Sequence, residues 1–438
     1  MVRFDLAWAA DVGTGAHPSR EQPPGPRCFV GVTVYGATNP AGRPRRVDVL
    51  VVGAGQAGLS AAYHLGRRGF APYRERVDGG FVVLDANATP GGAWAHRSPS
   101  LRMATVHGFH DLPDAELPAP DPEARAREVV PGYFTAYEAR HALPVVRPVA
   151  VRTVRAESER PDSRLLVETD HGTWSTRALI NATGTWTRPF LPHYPGHFAG
   201  RQLHYAEYRG PEEFAGKRVL VVGGGASAIQ VLSEVAAVGE TIWVTRSEPV
   251  YHEGPFTPEY GRAVVAKVEE RVRRGLPVRS VVSVTGLGPS VAYRRAQELG
   301  ALHRRPMFDR LTEHGVAWGD EESAVDAIVW ATGFRPEVGH LAPLGLRSPG
   351  GGIALTGTRA AADPRVHLVG YGPSASTIGA NRAGRAAVND LVKLLGDPAT
   401  GTATTGPTAI EPTATGPTAT GPTGTGTAAE SAAIPVPV

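Results

Sequence analysis

Two glycine runs, each set between a β-branched apolar run and a helical stretch, restrict this chain more than any other feature. The first reads Val47-Asp-Val-Leu-Val-Val52, then Gly53-Ala-Gly-Gln-Ala-Gly58, then Leu59-Ser-Ala-Ala-Tyr-His-Leu65. The second reads Lys217-Arg-Val-Leu-Val-Val222, then Gly223-Gly-Gly-Ala-Ser-Ala228, then a helical stretch over 229–238. Short β-branched runs of this kind suit strands buried on both faces, as a parallel sheet requires. Strand, glycine turn, helix is the context that lifts G-x-G-x-x-G above coincidence. Gly53 allows the tight turn, Gly55 lets backbone approach a pyrophosphate, and Gly58 lets the helix pack close to the sheet. The corresponding positions of the second run are Gly223, Gly225 and Ala228, where alanine replaces the third glycine beside Ser227. Two such runs predict an α/β fold with two Rossmann-like dinucleotide-binding domains.

The strand after each turn carries the next clue. Phe81-Val-Val-Leu-Asp85 reads as a strand whose Asp85 is placed to hydrogen-bond a ribose hydroxyl, or else as a strand with a simple end cap. Asp85 lies about 27 residues past Gly58, where about 20 is usual, so Tyr73-Arg-Glu-Arg-Val-Asp-Gly-Gly80 reads as a lengthened loop. Thr241-Ile-Trp-Val-Thr245 ends instead at Arg246. An arginine in the place of the ribose acid favours a 2′-phosphate, hence NADPH over NADH; the other reading of Arg246 is a surface charge. In Pro90-Gly-Gly-Ala-Trp94, Gly91 and Gly92 suit backbone held against a flavin or its ribityl chain, while Trp94 suits that site or the core equally. Near the C-terminus, Arg365-Val-His-Leu-Val-Gly370 reads as a strand. Ser374-Ala-Ser-Thr-Ile-Gly379 opens a helix over 380–395, with Ser and Thr, among them Thr377, as caps. The N-terminus of that helix favours negative charge on a flavin ring. Strands ending in Ala-Thr-Gly occur twice, at Ala182-Thr-Gly184 and Ala331-Thr-Gly-Phe334.

Composition narrows the chemistry. The 438 residues leave room for two or three domains. Their single cysteine, Cys28, excludes a disulfide framework, a thiolate metal cluster and a redox dithiol. The net charge of +3 comes from bases scattered among acids, with no basic block, so no nucleic-acid partner is expected. No apolar run reaches the eighteen or so residues of a membrane span, and Asp5 and Asp11 interrupt any signal-peptide core. A cytoplasmic protein is the expectation. Residues 1–44 read as a disordered leader, or as sequence upstream of the true start. Residues 397–438, with Thr-Gly-Pro-Thr repeats, read as a disordered tail.

The order of these pieces resembles the flavin-containing monooxygenase family, within the wider group of two-dinucleotide-domain flavoproteins. The resemblance runs from about residue 47 to 395. Gly53-Ala-Gly-Gln-Ala-Gly58 is similar to the family's FAD fingerprint, Asp85 to its ribose acid, and Pro90-Gly-Gly-Ala-Trp94 to its Gly-Gly-x-Trp segment. Gly223-Gly-Gly-Ala-Ser-Ala228 is similar to its NADP fingerprint. Phe198, Gly200, His204 and Tyr208 match the signature Phe-x-Gly-x-x-x-His-x-x-x-Tyr between the two. The resemblance implies an NADP domain inserted in an FAD domain: 45–204 and 325–396 would bind FAD, and 205–324 NADPH. It also implies a reaction, with hydride passing from NADPH to FAD and oxygen activated as a C4a-peroxyflavin. A small nitrogen or sulfur nucleophile is then oxygenated.

Three departures qualify this. The family's Asn after Gly-Gly-x-Trp is absent from Ala104-Thr-Val-His-Gly-Phe109. Tyr208-Arg-Gly-Pro211 lacks the Trp-Pro ending of Baeyer–Villiger enzymes. Val369-Gly-Tyr-Gly372 lacks the acid that many flavoprotein reductases place on the ribityl chain. An oxidase or reductase on the same scaffold is therefore the alternative, with a non-catalytic dinucleotide sensor a third. His204 reads either as a linker histidine ordering a turn or as a residue retaining NADP, and 198–208 as the hinge between domains. The substrate pocket would fall within 100–145 and 250–310.

Overall fold

The structure is a computed structural model that describes residues 43–106, 109–160, 162–251, 258–278 and 286–398. The expected leader and tail, and Cys28, lie outside the described residues apart from the innermost positions 43–44 and 397–398.

The first sheet is built on β1 (Arg45–Val52), with β2 (Phe81–Leu84) and then β3 (Val145–Val146) parallel on one side. Two strands are joined to it by antiparallel pairing, β4 (Val151–Ala156) to β5 (Leu165–Thr169) and β5 to β6 (Gly172–Asn181). β6 runs parallel to β1 on its other side, with Val52 opposite Asn181. The β-branched run of β1 is buried on both faces, as its sequence requires. One face packs Val49 and Val51 under α1 (Gln56–Arg67) and α2 (Ala126–Arg140), and the other buries Leu50 and Val52 with Val82 and Leu179.

The second sheet begins at an unexpected place. Residues 201–204, read from sequence as part of a hinge, form β7 (Arg201–His204). This edge strand pairs in parallel with the last strand of its sheet rather than with its sequence neighbour. The sheet continues through β8 (Arg218–Val222) and β9 (Glu240–Thr245), with α3 (Ala226–Val235) between them. α4 (Pro258–Arg273) and α5 (Val291–Glu298) follow, then β10 (Arg304–Pro306) on the far edge beside β9. A three-stranded antiparallel sheet comes next: β11 (Arg310–Thr312), β12 (Gly315–Trp318) and β13 (Glu321–Ala324). β13 ends before β14 (Ala327–Trp330) enters the second sheet between β8 and β7. α3 and α5 cover one face through Ile229, Leu232 and Ala296. On the other, Leu220, Val244 and Ile328 meet Phe198, Phe308 and Val316.

The chain then returns to the first sheet through β15 (Leu355–Thr356), β16 (Arg359–Ala360) and β17 (Val366–Leu368), the last parallel to β6, and ends in α6 (Thr377–Leu395). α6 starts three residues before the expected 380, because Ser376 Oγ accepts from the Gly379 N–H at 3.1 Å and caps it there. Sheet membership changes at 201 and after 330, where the sequence reading put the changes at 205 and 325. The outgoing and returning segments between the sheets bond each other: Phe190 N–H donates to Gly333 O at 2.9 Å and Arg335 N–H to Arg188 O at 2.8 Å.

Candidate functional site

At the end of β1, Gly53 has φ +99° and donates its N–H to Leu84 O at 2.7 Å. The crowding explains the glycines. A Cβ on Gly53 would lie 2.7 Å from Ala182 O, and one on Gly58 would stand 1.8 Å from Gly53 O. Gly91 and Gly92, at φ +121° and +52°, close the turn from the other side: a Cβ on Gly92 would lie 2.9 Å from Gly55 Cα. Gly55 alone is open, with nothing within 4 Å of its Cβ direction. It is also the N-cap of α1 and offers the first-turn amides no side-chain acceptor. A turn closed by glycines on three sides and open over unpaired amides fits a phosphate-bearing ligand.

Asp85 follows β2 and is 3% exposed. Its Oδ1 accepts from the Asn87 N–H at 3.2 Å and Asn87 Nδ2 at 2.9 Å, and its Oδ2 from Arg147 at 3.4 Å. Arg147 is itself held by Glu138 at 2.6 and 2.8 Å. A carboxylate has about four acceptor sites, so capacity for a ribose hydroxyl remains. Gly370, at φ +68°, lies against Ala57 in the first turn of α1. Thr377 opens α6 one turn before Asn381, whose Oδ1 accepts from Gln56 at 3.0 Å, so the starts of α1 and α6 meet. Trp94 is half-buried and meets Phe109 edge-on at 5.7 Å.

The second turn repeats the pattern. Gly223, at φ +141°, donates its N–H to Val244 O at 2.9 Å, and a Cβ there would lie 2.3 Å from Ala331 O. Trp243 Nε1 pins the turn by donating to Gly223 O at 2.8 Å. Gly225 is open and caps α3 without a side-chain acceptor; Ser227 lies in the first turn of that helix, and Ala228 is fully buried. Arg246 is exposed just beyond β9. Arg304, the first residue of β10, donates Nε to Thr245 Oγ1 at 2.7 Å and brings a second guanidinium to this edge. Sequence alone does not mark it, because Arg304-Arg-Pro306 carries no strand periodicity.

The four signature residues all belong to this second unit. The Phe198 ring folds over Gly200, where a Cβ would lie 2.3 Å from its tip. His204 is 1% exposed. Its Nδ1 accepts from the Ala206 N–H at 3.1 Å, which leaves Nε2 to donate to Gly333 O at 3.0 Å. Burial lowers its pKa, so the ring stays neutral while it ties β7 to the Ala-Thr-Gly turn. Tyr208 is fully buried and donates to Glu234 Oε2 on α3 at 2.8 Å; burial, then the carboxylate, raises its phenol pKa. Among the described residues, no helix is long and apolar enough to cross a membrane.

Two sheets with parallel cores, each with a glycine turn open to a helix N-terminus, define a protein with two Rossmann-like units. The chain belongs to the pyridine nucleotide-disulphide oxidoreductase family, matched over residues 50–356. Among solved structures it is similar to a flavin-containing monooxygenase from Stenotrophomonas maltophilia: 37% identity, TM-score 0.67, covering 80% of this chain and 99% of that one. It shares the fold of OTEMO in complex with FAD and NADP, at 17% identity and a TM-score of 0.54, over 80% of this chain and 85% of that one. Among curated proteins it is 28% identical to the uncharacterized oxidoreductase CzcO of Bacillus velezensis, over 66% of this chain and 81% of that protein. The resemblance to flavin-containing monooxygenases therefore holds in structure over 80% of this chain. The disulphide half of the family name has no counterpart here, since Cys28 is the only cysteine.

Proposed function

We propose that this protein is an NADPH-dependent FAD monooxygenase that oxygenates a small nitrogen or sulfur nucleophile. The observation that carries this reading is the 37% identity to a flavin-containing monooxygenase along 99% of that chain. Gly53, Gly55, Gly58, Gly91 and Gly92 would hold the FAD pyrophosphate side and Asp85 its ribose, with Gly370, Thr377 and Trp94 around the rest. Gly223, Gly225, Ser227 and Ala228 would hold NADPH, with Arg246 on the 2′-phosphate. FAD, when bound, accepts hydride from NADPH and supplies the oxygen-activating centre. The protein's own residues orient the two nucleotides and exclude water. The glycines let backbone amides face phosphate without a side chain between. The neutral, doubly bonded His204 keeps the second unit's edge strand against its turn and offers no proton at neutral pH.

The test is anaerobic mixing with NADPH, followed by oxygen, watched at flavin wavelengths with amines, thioethers and ketones present in turn. The reading expects rapid bleaching, delayed return of oxidised-flavin absorbance, and an oxygenated amine or thioether. Immediate reoxidation with stoichiometric hydrogen peroxide and no product would make the protein an oxidase. No bleaching by NADPH would leave only a dinucleotide sensor.

A further inference from the structure

Where the two units meet, one guanidinium is sandwiched between indoles. Arg97, just past the Gly-Gly-Ala-Trp segment of the first unit, has its Cζ 4.7 Å from the Trp186 ring centroid and 5.5 Å from that of Trp94. Trp186 stacks on Phe334 at 4.9 Å, and Phe334 meets His204 edge-on at 4.9 Å. The guanidinium plane is therefore fixed by aromatic faces rather than by carboxylates. Its Nε is buried and has no hydrogen-bond partner. A charged donor left this way is costly, and a structure that keeps one invites an acceptor.

The neighbours of this side chain include groups of the other unit. The Tyr205 phenol lies within reach of both Arg97 and the Ser227 hydroxyl, and it donates to Gln230 Oε1 at 2.7 Å. Gln230 Nε2 also reaches across to Ser100 of the first unit at 3.5 Å. Ser227 and Gln230 lie in the first turns of α3, whose cap Gly225 leaves the leading amides without a side-chain acceptor. Through Tyr205 and Gln230, the cation of one unit is thus linked to the first turns of a helix in the other, whose N-terminal end favours an anion.

We propose that Arg97 is a positioning residue for the nicotinamide dinucleotide. Reaching from the first unit, its guanidinium binds the pyrophosphate of NADPH seated on the turn at 223–228, so that bound nucleotide draws the units together. The inference rests on the NADPH reading above. A planar guanidinium already held between rings matches paired phosphate oxygens and loses little freedom on binding.

The test measures binding by calorimetry in the FAD-loaded protein, with NADP+ and with 2′-AMP, which has the 2′-phosphate but no pyrophosphate. Arg97→Gln is expected to weaken NADP+ about tenfold or more, the loss of a hydrogen bond to a charged group, and to leave 2′-AMP unchanged. Arg97→Lys should recover only part of that loss, because a lysine ammonium cannot present the planar fork. Equal NADP+ affinity in Arg97→Gln and the unaltered protein would overturn the proposal. So would an equal loss for both ligands, which would mark Arg97 as packing at the seam. If the unaltered protein binds neither ligand, the underlying NADPH reading fails instead.

Discussion

The two glycine turns are built alike and closed differently. In each, the first glycine has a positive φ, bonds the neighbouring strand, and leans on the carbonyl of the alanine that opens an Ala-Thr-Gly segment. The threonines behave alike too, Thr183 donating to Glu337 O and Thr332 to Phe190 O. The first turn, however, is packed more tightly at its back: Gly92 sits against the Gly55 backbone, and Gly58 is so close to Gly53 that no Cβ fits. The second, equally open at Gly225, has room behind it for a side chain and accepts Ala228 at the third position. A turn packed tightly from behind suits a ligand that stays; a looser one, with an exposed arginine beside it, suits a ligand that exchanges. This is the division expected of a resident flavin and a diffusing NADPH.

The largest effect should come from erasing that difference at the tight end. Gly58→Ala forces a Cβ to 1.8 Å from Gly53 O. We expect the purified protein to lose its flavin absorbance and about 3 kcal/mol or more of stability, measured by thermal unfolding, the upper end of overpacking costs. Full flavin content in that variant would break the comparison. Acid should also fall on the first unit. His367 in β17 is 1% exposed, and burial lowers its pKa from 6.5 to about 4. The folded form therefore binds its proton later than the unfolded chain. Stability is full above about pH 6.5 and is lost as pH falls toward 4, by about 3 kcal/mol at most from this group alone. Unfolding temperature should drop across that window, with flavin release following it, and His367→Gln should flatten the slope.

At the open turn, Arg246→Ala should weaken NADPH about tenfold to a hundredfold and leave NADH unchanged, read from the two Michaelis constants. Equal losses would reassign Arg246 to the surface. His204→Ala removes a donor to Gly333 O and an acceptor for the Ala206 N–H. It should cost about 1–2 kcal/mol and raise the fraction of NADPH spent on hydrogen peroxide more than it lowers flavin content. Unchanged coupling would confine His204 to structure. Ala228→Gly, the reverse of the first substitution, should cost under about 1 kcal/mol and leave NADP+ affinity within about twofold.

Sequence reveals those parts of this molecule that are local. Val47-Asp-Val-Leu-Val-Val52 and Lys217-Arg-Val-Leu-Val-Val222 announce buried parallel strands because no polar residue alternates strictly with the apolar ones. The glycines announce turns because only they tolerate the contacts found there. The missed features depend on contacts remote in sequence. Arg147 reaches Asp85 only because β3 pairs with β2, and Arg97 meets Trp186 only where the units touch. β10 is three residues, Arg304-Arg-Pro306, with nothing apolar to mark it, and β7 is Arg201-Gln-Leu-His204, half exposed at an edge. Polar edge strands carry no periodicity to read; their partner makes them strands.

β7 has a consequence for where this molecule can be divided. It comes first in the second unit and bonds to β14, the last strand there, so the unit is fastened by its own two ends. The wall of its glycine turn, Ala331, lies just beyond the second of those ends. A fragment cut at 205 and 324 would lack both β7 and β14 and the wall, and expose the central strand β8 along one side. One cut at 197 and 333 keeps the Phe198 ring, the edge strand, His204 and its Gly333 partner together. The modular joint of this protein therefore lies in the paired segments that bond through Phe190 and Arg335, outside the signature that marks the crossing.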